Sequence, residues 1–228
     1  MASEQRRATA LLRLCQLVSP ALPVGAFNFS QGLEYAVEAN WVRDEPSALE
    51  WIGGLMRNAV GTLDVPVLLR LHAAWTRDDV SSVLNWSRLL IAARESAELR
   101  AEDRHMGHAL AKILNGLGIE EASQWTLSSE ATFATLFTLA ACRWGIAADE
   151  AAWGYLWSWC ENQVLGAVKL IPLGQSAGQR LLDRLLIQIP NVVSEAACIV
   201  DDDIGISSPM QGIASARHET QYTRLFRS

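Results

Sequence analysis

The sequence lacks the marks of most catalytic and cofactor-binding machinery. Its four cysteines, Cys15, Cys142, Cys160 and Cys198, form no CxxC pair. A zinc site or a thiol redox motif is therefore unsupported, and thiols this scattered suit burial in a reducing compartment. There is no GxSxG and no HExxH. Gly174 and Gly178 do not spell a phosphate loop, because Gln179 and Arg180 follow where Lys and Ser/Thr are required. Any nucleotide chemistry would have to belong to a partner. Basic charge is also short: 19 Lys and Arg face 25 Asp and Glu, for a net charge of −6. Nucleic-acid binders normally carry the opposite excess, so that class is excluded. No uncharged apolar run is long enough to span a bilayer, and Arg13 and Gln16 interrupt the stretch from Ala8 to Val18, where a signal peptide would need its apolar segment. The expectation is a cytosolic protein. Strand alternation, repeats and low-complexity segments are missing as well.

What remains is a chain of 228 residues, 50% apolar and 19% charged, enough to bury a core without staples. The apolar spacing is helical nearly throughout. Leu11, Leu14, Cys15 and Val18 mark a first helix that Pro20 ends. Residues 19–29 hold Pro20, Pro23 and Gly25 and cannot form regular helix, yet stay apolar. Ser30 is placed to cap a short helix through Ala39, and Ser47 with Glu50 reads as a capping box for a helix to about Val60. Further helices are expected over Val65 to Trp75, from Asp78 and Asp79 through one long segment to Leu114, from Ser129 to Trp144, from Asp149 onward, and from Gln175 toward Ile189. Trp153, Leu156, Trp157, Cys160 and Val164 share one helical face. A short helix can follow Pro190 to Ala197. The expected fold is an all-α, single-domain bundle of roughly eight to ten helices. Residues 1–200 form the helical domain. Residues 201–228 form an acidic linker and a flexible partner-binding tail.

Three features could carry function. Glu102, His105 and His108 can share a helix face suited to a metal, but no further ligand at fixed spacing follows, and a solvated charged face is the plainer reading. Lys169 stands in the apolar run Gly166 to Pro172, where it must snorkel, pair or face a partner. The tail sets Arg217, Arg224 and Arg227 against Glu219 and spaces Tyr222, Leu225 and Phe226 as i, i+3, i+4, a composition that suits docking on a partner. The nine tryptophans are mostly expected in the core.

Three blocks then carry a family likeness: Leu17 to Phe27 followed by Ser30-Gln31-Gly32-Leu33-Glu34, Gly166 to Gln175, and Ser215 to Tyr222 ending in Arg224 to Ser228. In this order they resemble the UreF family of urease accessory proteins across essentially the whole chain. Asn28 stands where that family often has serine. The resemblance implies an all-α homodimer without catalytic group or cofactor, which binds UreD (also called UreH), recruits the GTPase UreG and docks on apo-urease for nickel insertion. An alternative within it is a GTPase-activating protein acting on UreG through an arginine finger. Partner-binding roles fall on Lys169, Gly174, Gln175, Arg217, His218, Glu219, Tyr222, Arg224, Leu225 and Phe226. Pro20, Pro23, Gly25, Gly32 and Glu34 shape the loop.

Overall fold

A computed structural model describes residues 2–205 and 208–228. Its helices are α1 (Ala2–Leu17), α2 (Leu33–Glu38), α3 (Glu45–Leu55), α4 (Val65–Thr76), α5 (Val80–Ala93), α6 (Ala97–Gly116), α7 (Phe133–Arg143), α8 (Ala148–Leu170), α9 (Gln175–Leu186), α10 (Ile189–Cys198) and α11 (Pro209–His218). No strand occurs among the described residues, so the fold is the all-α single domain expected. The core centres on α4 and α7, where Leu68, Leu71, Trp75, Leu136 and Phe137 are buried, and α8 packs across them. On α8, Leu156, Cys160 and Val164 face inward as expected, whereas Trp153 stays 41% exposed.

Several boundaries differ from the sequence expectation, each for a local reason. Asp44, not Ser47, caps α3: its carboxylate accepts from the Ser47 N–H at 3.0 Å, and the Ser47 hydroxyl oxygen accepts from the Asp44 N–H at 3.1 Å. That helix does not stop near Val60. It runs into a π-helical stretch over Met56–Asp64 that continues into α4. The long segment expected up to Leu114 breaks at Arg94, whose backbone is extended, and Ser96 recaps the chain by accepting from the Leu99 N–H at 3.0 Å. The helix expected from Ser129 begins at Phe133, capped by Thr132.

The C-terminal region departs most. The acidic run Asp201–Asp203 is a 3-10 turn, tied down by Arg70, which pairs with Asp201 at 3.0 Å. Ser207 of the expected linker lies outside the described residues. Pro209, read as linker, instead opens α11 at a position where its missing N–H costs nothing. The tail is not free: Ser215, His218, Phe226 and Ser228 are buried.

Gly107 shows how tightly α6 and α7 are set. A Cβ there would lie 2.6 Å from the Ala131 carbonyl oxygen and 2.8 Å from backbone carbons of Ala131 and Thr132. Backbone cannot yield as a side-chain tip does. Gly107→Ala should therefore destabilise by about 1–3 kcal/mol, the usual cost of overpacking. Gly54→Ala, in α3 with nothing within 4 Å of its Cβ, should stabilise by roughly 0.5–1 kcal/mol. Thermal melts of both variants check this, and a neutral Gly107→Ala would contradict it.

Candidate functional site

The three sequence blocks meet in space, and α8 is the spine they share. From α8, Trp159 donates to the Gln31 side chain at 2.7 Å, Asn162 to the Phe29 carbonyl at 3.3 Å and Gln163 to the Ser30 carbonyl at 3.4 Å. These bonds hold the chain after the N-terminal loop. Gln31 takes a left-handed conformation (φ 54°), as does Gly32 (φ 85°). At Gly32 a Cβ would meet the Ala214 Cβ at 2.9 Å, so glycine serves both the backbone turn and the approach of α11. Gly25, with φ 80°, turns the loop itself.

Glu34 receives the tail. Its carboxylate accepts from the Leu225 N–H at 2.6 Å, the Phe226 N–H at 2.9 Å and His218 Nε2 at 3.0 Å. The other imidazole nitrogen faces Glu98 at 2.7 Å, and Arg224 donates to Glu98 at 2.9 Å. Glu219 accepts from the Ala97 N–H at 2.8 Å, placing a negative charge at the start of α6. Two backbone bonds finish the seam, Arg227 N–H to the Asn28 carbonyl at 2.7 Å and Ser30 N–H to the Ser228 carbonyl at 2.6 Å. The block-two residue Lys169 joins the same seam: its exposed ammonium lies 5.5 Å from the Phe226 ring and 6.0 Å from the Phe27 ring. Both distances are within cation–π reach.

The tail residues thus divide. His218, Glu219, Arg224 and Phe226 fasten the tail to its own domain. Tyr222, Leu225, Arg217 and Arg227 face solvent. The expected helical face of Tyr222, Leu225 and Phe226 does not form, because the helix ends at His218 and the chain bends afterwards. Tyr222 is fully exposed and Leu225 66% exposed, while Phe226 turns inward. Gly174 caps α9, Gln175 opens it, and both lie on the surface beyond Lys169. Pro20 and Pro23 are exposed on the loop. Glu102, His105 and His108 are committed to different neighbours. His108 Nε2 lies 2.8 Å from the Ser128 carbonyl, His105 packs edge-on against Phe29, and Glu102 is held by Gln31 at 2.7 Å and Ser228 Oγ at 2.9 Å.

A second polar cluster lies beneath the loop. Arg94 donates to both Asp64 oxygens, at 2.5 and 3.1 Å, and to Asp103 at 2.8 and 3.0 Å. Burial alone would favour a neutral guanidine, but the two carboxylates outweigh it and hold Arg94 charged. Tyr155 donates to Asp64 at 3.3 Å, and burial with the neighbouring carboxylates pushes its phenol up. Asp103 also accepts from the Phe133 N–H at 2.8 Å, satisfying the start of α7. Sequence reading missed this cluster and also Glu98, Glu102 and Ser30 as tail receptors. Their partners lie far away along the chain, and no local pattern marks them.

Glu102 links the two clusters, and burial pushes its carboxyl up to about 7 against the opposing bonds from Gln31 and Ser228. The folded protein therefore binds this proton more tightly than the unfolded chain does. The associated stability is full below the ordinary value of 4.5 and is lost as pH rises through 7. Glu102→Gln, which can keep both hydrogen bonds, should raise the melting temperature relative to wild type at pH 8 and much less at pH 5. An equal difference at both pH values would contradict this.

A family model described as UreF matches residues 42–186. The chain is 47% identical over 228 residues to the urease accessory protein UreF of Alkalilimnicola ehrlichii, covering 100% of both chains. It is 47% identical over 219 residues to that of Hahella chejuensis, covering 96% of this chain and 98% of the relative. With the protein of Alcanivorax borkumensis it shares 46% over 226 residues, covering 96% and 99%. The relatives extend the match beyond the family model, through the loop and the tail that form the seam. This chain belongs to the UreF family of urease accessory proteins.

Proposed function

We propose that this chain is a non-enzymatic assembly protein of urease maturation. In this reading it acts as a cytoplasmic homodimer, binds UreD (UreH), recruits and regulates the GTPase UreG, and supports GTP-dependent nickel insertion into apo-urease. Nickel is cargo here and not a resident cofactor. The observation that carries the reading is the seam. In a chain of net charge −6, it sets Lys169 over the Phe27 and Phe226 rings and leaves Tyr222, Leu225 and Arg227 of the fastened tail exposed. Aromatic and arginine side chains on a fixed backbone make good interface anchors, because little ordering entropy remains to be lost on binding.

A second reading, a GTPase-activating protein, is favoured by one feature. Arg217 and Arg227 are exposed and form no ion pair among the described residues. An arginine finger must be free in this way and accelerates hydrolysis by on the order of 10³-fold or more. Single-turnover GTP hydrolysis by UreG with Arg217→Ala and Arg227→Ala separates the readings. An assembly protein leaves the rate within a few-fold of wild type.

Because the tail contributes buried packing, deleting residues 215–228 would strand Glu34 and confound binding with folding. Point variants are cleaner. Tyr222→Ala with Leu225→Ala should weaken UreD binding by roughly 30-fold, the scale of a lost hot spot, with the melting temperature unchanged. Lys169→Ala should keep UreD binding but lower UreG recruitment, and the defect should shrink at high salt. Normal UreG affinity in a folded Lys169→Ala protein would sink that assignment.

A further inference from the structure

Beneath the N-terminal loop and beside the seam lies a cavity of about 140 Å³. Its walls are apolar, supplied by Leu22, Val24, Leu63 and Met106 among others, and exposed Pro20 and Phe27 stand at its rim. Its charged lining is strongly one-sided. The carboxylates of Asp64, Glu95, Glu102, Asp103 and Glu161 are opposed by the single guanidinium of Arg94, which Asp64 and Asp103 already occupy. Glu95 and Glu161 form no ion pair among the described residues. Glu161 is half-buried and burial pushes its carboxyl up, with no basic group to counter this.

Size and charge together narrow the occupant. Drug-sized and nucleotide ligands take pockets of about 300–1,000 Å³. A void near 150 Å³ accepts about a benzene. One side chain fits the second scale. An apolar wall with carboxylates beyond it favours an aliphatic stem ending in positive charge, the form of lysine or arginine. A neutral apolar group would leave Glu161 partly desolvated and unpaired, and an anion would be repelled.

We propose that this cavity is a docking pocket for one lysine or arginine side chain carried by a partner protein, with Glu161 and Glu95 meeting the cation at the rim. The pocket adjoins the seam and shares Phe27, Gln31, Glu102, Trp159 and Asn162 with it, but its test uses neither UreD nor UreG, so its failure and the failure of those assignments are distinguishable.

The test uses the full chain and two probes, acetyl-Leu-Lys-Leu-amide and its norleucine counterpart, which keeps the stem and lacks the ammonium. Binding is followed by amide shifts of Val24, Leu63 and Met106 at pH 8. The lysyl peptide should bind saturably and at least tenfold tighter than the norleucyl one. In Glu95→Gln/Glu161→Gln the ratio should fall below threefold. Neither residue has an ion pair or hydrogen bond among the described residues, so the variant should melt like wild type, and its melt is recorded on the same sample. If the variant unfolds, wild type alone decides through the ratio of the two peptides. Equal binding of the two peptides, or no shift with either, overturns the proposal. Nickel chloride alone is a third arm. Saturable nickel binding at these amides that the double variant abolishes, with no lysyl preference, would make the pocket a metal site and refute the side-chain reading.

Discussion

A buried carboxylate that must keep its hydrogen bonds organises the seam. Glu34 is 7% exposed and accepts from two backbone N–H groups and an imidazole, all supplied by the last eleven residues of the chain. An ionised group taken out of water costs several kcal/mol unless such partners replace its hydration. The short helix carrying Glu34 and the tail therefore need each other. His218 passes the constraint on to Glu98, which Arg224 also holds, so α2, α6 and α11 are tied through one buried polar chain. Networks of this kind favour one arrangement strongly, because each partial alternative strands a polar group.

The second network does the same for the other side of the loop. Asp64 ends the π-helical stretch, Arg94 sits in the break between α5 and α6, and Asp103 reaches the start of α7. One guanidinium thus fixes four segments and explains why the chain leaves helix at Arg94 although its apolar pattern continues. Glu102 joins the networks, since Gln31 and Ser228 hold it from the loop and the tail while Asp103 is its neighbour in sequence. The loop, α8, the tail and the cavity behave as one polar framework set beside the apolar core of α4 and α7.

Much of the fold was legible in the sequence because amphipathic helices announce themselves by local spacing. Val65 to Trp75, and the helix through Cys160 and Val164, were readable for that reason. Errors arose where a nonlocal polar contact decided the outcome. Nothing near Arg94 says that Asp64 will bury it, and nothing near His218 says that Glu34 lies across from it. The tail's arginines and terminal position suggested a free segment, yet Arg224 and His218 are spent on Glu98 and Glu34. The residues of the three likeness blocks were legible as important, whereas their meeting along α8 was not, since sequence order carries no information about that assembly.

The central claim is that Glu34 holds the tail in place. Amide hydrogen exchange across residues 215–228, in wild type and in Glu34→Gln, tests it most directly. Both carboxylate oxygens accept N–H donors, so either orientation of a glutamine amide turns an NH₂ toward one of them. One unsatisfied buried contact costs about 1–3 kcal/mol. The account expects slow exchange at Leu225 and Phe226 in wild type and exchange faster by roughly 5- to 150-fold in the variant, with the amides of α4 and α7 unchanged. Fast exchange at Leu225 and Phe226 in wild type, or equal protection in the two proteins, would contradict it.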